Sequence, residues 1–224
     1  MTFKKSGSRY ANKIDPVTIY IAYEGAVDEK KYFEALKLSI PKRFDKLVSL
    51  IPVEKSTTNS APTKVLEDLD NFLDSNQIKL NKNNKGFIVI DKDRWDEGTH
   101  KKGLKDTITK CKQKGVTLLC STPSFDLWLL CHFVDISVEP NEFKDKAKSN
   151  LRKTKSSKTF LKSELSKLSK IDMKALISKT SIAINNAEKL NHPISSNGNL
   201  IPDQLFTNVF FIHKELAKNK IPIL

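Results

Sequence analysis

Short apolar runs alternate with segments of helical periodicity along the first two thirds of the chain. The runs are continuous and rich in β-branched residues, which is typical of strands covered on both faces. These predicted strands span residues 17–23, 47–53, 86–91 and 116–120. Apolar residues recur at helical spacing between and after them, which predicts helices over residues 28–40, 62–76, 102–114 and 124–134. This alternation predicts an α/β fold, with a mostly parallel sheet and helices on both of its faces.

The last third of the chain has a different composition. Residues 141–170 contain nine Lys and one Arg but only three acidic residues. Helical periodicity recurs within this stretch and over residues 175–190 and 206–217, with a polar loop over residues 191–199. The expected organisation is a flexible basic leader over residues 1–16, an α/β domain over residues 17–140, and a basic helical region over residues 141–224 packed on that domain.

The charge balance points to a class of partner. The chain has 39 Lys and Arg residues against 26 Asp and Glu residues, which gives a net charge of +13. Such a field favours a polyanionic partner, most often nucleic acid, and predicts that binding depends on salt. A generally lysine-rich proteome would explain the same excess without any partner.

Several classes of protein are excluded by composition and pattern. No apolar run approaches the ~18 residues of a membrane span, and the basic residues 1–9 lack the apolar core of a signal peptide. Cys111, Cys120 and Cys131 form no Cys-x-x-Cys pair, which fits buried reduced thiols better than disulfides or a zinc site. We therefore expect a cytoplasmic protein.

Acidic residues stand at the ends of two predicted strands. Glu24 follows the first strand, directly before Gly25, and Asp91 closes the third strand as part of an Asp-x-Asp with Asp93. Because reactive groups of open α/β sheets gather at the carboxyl ends of strands, these carboxylates are expected to share one crevice if both strands are central. Carboxylate oxygens suit Mg²⁺, which can neutralise charge on a phosphodiester and activate water. Glu24 could instead transfer a proton if its pKa is raised.

Two motifs resemble a known family. The order of Glu24-Gly25 and Asp91-x-Asp93 after strands looks like the Toprim fold of topoisomerases, primases and OLD-family nucleases. The segment 23–29, Tyr-Glu-Gly-Ala-Val-Asp-Glu, with Tyr-Phe soon after it, resembles the opening motif of RloB-like proteins. The segment 121–133, Ser-Thr-Pro-Ser-Phe-Asp-Leu-Trp-Leu-Leu-Cys-His-Phe, is similar to that family's Asn-Pro-x-Phe-Glu-x-Trp-Leu-x-x-His-Phe. This resemblance covers most of the chain and implies a Toprim-like α/β domain.

The resemblance also implies roles for individual carboxylates. Glu24 would be the acid/base or a metal ligand, and Asp91 and Asp93 would be ligands of Mg²⁺ or Mn²⁺. Asp126 stands where the family usually has Glu, so it would hold a second metal or orient the first with a carboxylate one methylene shorter. A simpler interpretation is that Asp126 favours the positive end of a helix.

Related OLD-type nucleases carry a further acid shortly after Glu-Gly. Asp28 and Glu29 both have the required spacing, and Glu29 matches the RloB-like pattern better. Either residue could equally serve only to stabilise the start of the first helix.

Basic residues near the acids are candidate phosphate-binding groups. Lys92, Arg94, His100, Lys101 and Lys102 follow the Asp-x-Asp region and could neutralise phosphates, or could form a solvated loop. His132 is expected to be structural, with contact to substrate phosphate as the alternative. The Lys-rich run 144–170 suits either a nucleic-acid track or a surface for an acidic protein.

The expected function is a Mg²⁺-dependent nuclease acting on RNA, with tRNA as one candidate, or on DNA. The RloB-like resemblance implies an effector of bacterial anti-phage defence that is commonly encoded beside an ABC-type ATPase. No Walker A motif is present, so an ATPase would be a partner. Two alternatives stay open: a non-catalytic sensor that docks on the ATPase, and a nucleotidyl-transfer enzyme. A homodimer is possible, and nothing in the sequence decides it.

Overall fold

A computed structural model describes residues 16–57, 59–92, 95, 100–168, 172–190 and 201–219. The predicted leader, apart from Pro16, and the predicted polar loop over residues 191–199 lie outside this part of the chain. Among the described residues, none of the helices combines the length and the hydrophobicity of a membrane-spanning segment.

A five-stranded, mostly parallel sheet forms the centre of the fold. Its strands are β1 (Val17–Tyr23), β2 (Val48–Val53), β3 (Asn84–Asp91), β4 (Val116–Thr122) and β5 (Phe206–Thr207). Their order is β2-β1-β3-β4-β5, with the first four strands parallel and β5 antiparallel to β4. The predicted α/β class and the four predicted strands are confirmed.

Helices cover both faces of this sheet. They are α1 (Asp28–Ser39), α2 (Pro62–Ser75), α3 (His100–Lys114), α4 (Asp126–Cys131), α5 (Asn141–Ser149), α6 (Phe160–Lys167), α7 (Met173–Ile177), α8 (Thr180–Leu190) and α9 (Phe211–Lys218). Two local signals agree with their starts. Acidic side chains occupy the first turn of α1, where the helix dipole is positive, and proline is the first residue of α2, where no backbone N–H is needed.

The apolar core is divided into two layers by the central strands. Successive side chains of a strand point to opposite faces, so Ile19 and Ile21 enter one layer while Tyr20 and Ala22 enter the other. The first layer packs α1 and the helices from α4 to α9 against the sheet, and the second packs α2 and α3. The basic C-terminal helices therefore share the core of the α/β domain.

Three predicted helices differ in the structure. The helix predicted over residues 124–134 is limited to the six residues of α4. The helix predicted over residues 175–190 is broken, because the hydroxyls of Ser178 and Thr180 donate to the preceding carbonyls of Ala175 and Ile177, both at 2.7 Å. The helix predicted over residues 206–217 begins only at Phe211.

The start of that last segment is instead strand β5. Phe206 pairs with Thr122 and Thr207 with Ser121, and the hydroxyls of Thr207 and Ser121 lie 2.9 Å apart. This pairing with the edge of β4 overrides the helical apolar spacing, which carries no information about a distant partner strand.

The strand order reverses next to β1. The chain passes from β1 to β2 on one side and then returns to β3 on the other side, with α1 and α2 on opposite faces. The crevice outside the carboxyl ends of β1 and β3 is thus the switch point where α/β sheets usually bind ligands.

Candidate functional site

Glu24 joins the carboxyl ends of the two strands at the switch point. Its backbone N–H donates to the carbonyl of Val89 at 3.0 Å, which continues the pairing of β1 with β3. Its Oε2 accepts the backbone N–H of Asp91 at 3.0 Å, and the indole Nε1 of Trp95 lies 3.3 Å from both carboxylate oxygens. The carboxylate is therefore fixed between the strand end and the segment after it.

Asp91 connects the same strand end to α4. Its Oδ1 accepts the backbone N–H of Phe125 at 2.7 Å, directly before the first residue of α4, Asp126. A short carboxylate is well suited to accept such an N-terminal backbone N–H. The second family-like motif is thus attached to the Asp-x-Asp strand through a backbone hydrogen bond.

Glu29 lies over the turn that follows Glu24. It is in the first turn of α1, only 7% exposed, and its carboxylate occupies the space beside Gly25. A Cβ at Gly25 would stand 1.9 Å from Oε2 of Glu29, so the close approach requires glycine unless that buried carboxylate moves. Asp28 points to a different partner, Nζ of Lys162, at 2.9 Å. The structure thereby separates the two acids that the sequence left as alternatives.

These side chains form an acidic cluster, defined here as Glu24, Glu29, Asp91 and Asp126. Burial raises the pKa of Glu24 to about 7, the charge of Glu29 adds to this, and the hydrogen bonds from Asp91 and Trp95 oppose it. Burial likewise raises the pKa of Glu29 to about 7, helped by the charge of Asp126. Both carboxyls therefore exchange protons near neutral pH.

The pKa values of the two aspartates of the cluster, Asp91 and Asp126, are raised as well. Burial raises the pKa of Asp91 well above its ordinary value, and the charges of Glu29 and Glu24 raise it further. Burial also raises the pKa of Asp126, against the attraction of Lys162. Within the described residues, cations thus leave the negative charge of the cluster incompletely compensated.

Lys55 is a neighbour of the site that sequence reasoning missed. Its Nζ donates to the backbone carbonyl of Glu24 at 2.6 Å and to the hydroxyl of Ser60 at 3.2 Å, and its charge lowers the pKa of Glu24. It stands two residues after the carboxyl end of β2, so the strand-end rule applied to β2 would have found it. Sequence reasoning also missed Trp95, which contacts the carboxylate of Glu24. Its position four residues after Asp91 was the one signal for this contact in the sequence.

Lys92 forms hydrogen bonds and an ion pair with other residues of the chain. Its side chain is buried, its ammonium lies 3.2 Å and 3.3 Å from the carbonyls of Ile201 and Pro202, and it pairs with the carboxylate of Asp203. The segment before β5 is thereby attached to the end of β3. Phosphate binding by Lys92 stays a prediction.

Of Asp93 and the remaining predicted cations, the structure describes only the side chain of Lys102. Lys102 lies exposed on α3. Asp93 and Arg94 fall outside the described residues, as do the side chains of His100 and Lys101. Their predicted roles therefore stay predictions.

His132 lies in the core beneath the site. It is 1% exposed, its Nδ1 is 3.0 Å from the carbonyl of Trp128, and burial lowers its pKa to about 4. The ring of Tyr32 packs edge-on against the rings of Trp128 and His132. The hydroxyl of Tyr32 forms a hydrogen bond of 2.7 Å with Nε2 of His213. This position fits a structural role for His132 and keeps its ring away from solvent.

The acidic cluster supplies donor atoms of one chemical kind. All four side chains are carboxylates, the hard oxygen ligands that Mg²⁺ and Mn²⁺ take in proteins, and their raised pKa values favour an added cation. Within the described residues, no three His, Cys, Asp or Glu side chains form a group that could hold a metal by themselves. The donor set fits the chemistry of these cations, and Asp93, the remaining predicted ligand, lies outside that part of the chain.

Comparison with known proteins gives one family. Searches among curated proteins and among solved structures give no match. The model of a family described as "RloB-like protein" matches residues 19–216, which include the acidic cluster and run from within β1 to within α9. Because the match spans most of the chain, the protein belongs to the RloB-like family.

Proposed function

We propose that the protein is a Mg²⁺-dependent, Toprim-type nuclease that hydrolyses phosphodiester bonds in RNA or DNA at the acidic cluster. The observation that carries this proposal is the junction of Glu24 with Asp91 at the switch point, in a group of half-buried and buried carboxyls with raised pKa values. Uncompensated carboxylates are costly to bury, so their concentration in a crevice favours a functional explanation over a structural one.

Glu24, Asp91 and Asp93 would hold the metal, with Asp126 and Glu29 as further ligands of the same or a second ion. Mg²⁺ or Mn²⁺ bound there would supply Lewis-acid stabilisation of phosphoryl charge and a lowered pKa for bound water. Both ions accept all-oxygen donor sets of this kind.

The chain's own residues contribute proton transfer and charge. As the alternative to holding the metal, Glu24 would transfer a proton: its pKa of about 7 would let it accept a proton from an attacking water, or return one to a leaving oxygen, near neutral pH. The hydrogen bond from the backbone of Asp91 fixes its orientation at 3.0 Å. Lys55 places a positive charge beside it, which would attract the substrate's phosphate group.

The biological setting is proposed from the family. An RloB-like nuclease would act in the cytoplasm as an effector of bacterial anti-phage defence, together with an ABC-type ATPase. The absence of a Walker A motif in this chain agrees with ATP hydrolysis being the task of a partner.

The test of this proposal is a substitution that removes charge but keeps shape. Asp91→Asn retains a carbonyl oxygen for the backbone N–H of Phe125, so it should fold while losing metal-dependent cleavage of single-stranded RNA and DNA. Asp74→Asn, on the exposed surface of α2, is the matched control and should cleave like the wild type. Equal cleavage by the wild type and Asp91→Asn would refute the proposed site.

A further inference from the structure

A strongly basic loop follows α5 and leads into α6. Between Asp145 and Glu164 the chain contains no acidic residue and seven basic residues: Lys146, Lys148, Arg152, Lys153, Lys155, Lys158 and Lys162. We define the basic loop as residues 150–159, which connect the two helices and are mostly exposed. Such a run of basic residues is either a general solvated surface or a binding site for a polyanion. The position of the loop relative to the acidic cluster distinguishes the two.

The basic loop is held in a defined conformation. Asn150 ends α5 in the left-handed region, with φ of 44°, and its Oδ1 accepts the backbone N–H of Leu161 at 3.0 Å. Arg152 and Thr159 form an antiparallel bridge across the base of the loop. At its tip, the hydroxyl of Ser157 accepts the backbone N–H of Thr154 at 2.9 Å. The cations are therefore displayed on a closed loop whose two ends are joined.

Two contacts place the base of this loop beside the acidic cluster. Nδ2 of Asn150 donates to the hydroxyl of Ser124 at 3.3 Å, and Ser124 precedes Phe125, whose backbone N–H binds Asp91. On the other side, Lys162 at the start of α6 pairs with Asp28, and its charge lowers the pKa of Asp126. The first residue of the loop and a lysine three residues after its end therefore both contact the rim of the site.

The positive charges at the tip of the loop are available to a ligand. Lys153 and Lys155 are exposed, and neither ammonium forms an ion pair within the described residues. Lys153 lines a cavity together with Glu139, Glu142 and Glu164, and the last two of these pair with Lys146 and Lys167. Lys158 donates to the hydroxyl of Ser166 at 2.7 Å, a neutral partner that leaves its charge uncompensated. Cations held together in this way repel one another, and a string of phosphates relieves that repulsion while releasing its condensed counterions.

We infer that the basic loop binds the phosphodiester backbone of the nucleic-acid substrate and directs it to the acidic cluster. This inference rests on the proposed function for the identity of the ligand. The nearest aromatic side chain, Phe160, packs against Phe143 with ring centroids 5.2 Å apart, so it does not present a free face for stacking on bases. The loop therefore binds phosphates without reading sequence.

The test measures binding separately from cleavage. Fluorescence anisotropy with a labelled single-stranded RNA and a labelled DNA duplex, in EDTA, gives the affinity at several salt concentrations. The loop variant carries Lys153→Gln, Lys155→Gln and Lys158→Gln. Its matched control carries Lys79→Gln, Lys105→Gln and Lys110→Gln, three exposed lysines near α2 and α3 with the same change in net charge.

The loop variant should bind more weakly and depend less on salt. Each lost phosphate contact lowers the slope of log K against log salt by about 0.7 on single strands and about 0.9 on duplex, so three contacts lower it by about 2 to about 3. The control should keep the wild-type slope. Equal losses in both variants would show a general charge effect and overturn the inference.

Failure of the inference is distinguishable from failure of the proposed function. Binding that requires the loop, in a protein that cleaves nothing either alone or with the proposed ATPase partner, would support the loop site and refute the nuclease. Absence of binding to either nucleic acid, or preferential binding of an acidic peptide such as poly-glutamate by the loop, would overturn the inference whatever the protein cleaves.

Discussion

Glu29→Gln should stabilise the protein at alkaline pH. The wild-type carboxyl is 7% exposed, and burial raises its pKa from an ordinary 4.5 to about 7, with the charge of Asp126 adding to the rise. One pKa unit corresponds to about 1.4 kcal/mol, so ionised Glu29 costs up to about 3 kcal/mol of folding free energy. Because Glu24 titrates in the same range and interacts with Glu29, the costs of the two residues do not simply add.

The direction of the pH dependence follows from proton binding. A raised pKa means that the folded protein binds the Glu29 proton more tightly than the unfolded chain does. Its contribution to stability is fully present below the unfolded pKa of 4.5 and is lost as pH rises through about 7. Glutamine has no such titration, so the stability difference between variant and wild type should be small at about pH 5 and largest above about pH 8.

Urea unfolding followed by circular dichroism measures this difference directly. Midpoints for the wild type, Glu29→Gln and the control Asp74→Asn would be compared at about pH 5 and about pH 8 in low salt. We expect the advantage of Glu29→Gln over the wild type to grow by up to about 3 kcal/mol between these pH values, while the control follows the wild type. A variant that is no more stable than the wild type at the higher pH would refute the electrostatic reasoning.

Three further predictions concern the site and its support. Mg²⁺ or Mn²⁺ at about ten times its Kd should raise the unfolding free energy by about 1.4 kcal/mol at about pH 8, read as a Tm shift of a few degrees that EDTA reverses and Asp91→Asn lacks. Trp95→Phe removes an indole donor that lowers the pKa of Glu24, so the pH profile of cleavage should move to higher pH, and an unchanged profile would argue against that contact. Tyr32→Phe leaves buried Nε2 of His213 without its partner at 2.7 Å and should cost about 1 to 3 kcal/mol in urea unfolding, whereas a neutral effect would show that the hydrogen bond contributes little.

The sequence predicted the elements well where the signal was local. Continuous apolar runs identified the four parallel strands, because strands buried on both faces have no polar alternation. The two-residue strand β5 could not be predicted, since Phe206 and Thr207 become a strand only by pairing with Thr122 and Ser121. Local periodicity carries no information about such a partner.

The residues of the candidate site could also be predicted from local signals, whereas the contacts between them could not. Glu24 and Asp91 were found from their places after strands, but their contact depends on β1 pairing with β3, which no local pattern specifies. The choice between Asp28 and Glu29 likewise required tertiary structure. Only the fold shows that one pairs with Lys162 while the other is buried over the Glu-Gly turn.

The most direct test of the central claim is single-turnover cleavage by the wild type and Asp91→Asn across a Mg²⁺ titration. Labelled tRNA, single-stranded DNA and duplex DNA would be used in parallel, and a second series would add an ABC-type ATPase encoded beside this chain, as the proposed partner. The account predicts cleavage of at least one substrate that rises with Mg²⁺, disappears in EDTA and is lost by at least about a hundredfold in Asp91→Asn, the scale of removing a key electrostatic group. Cleavage that persists in EDTA or in Asp91→Asn, or no cleavage by the wild type in either series, would contradict it.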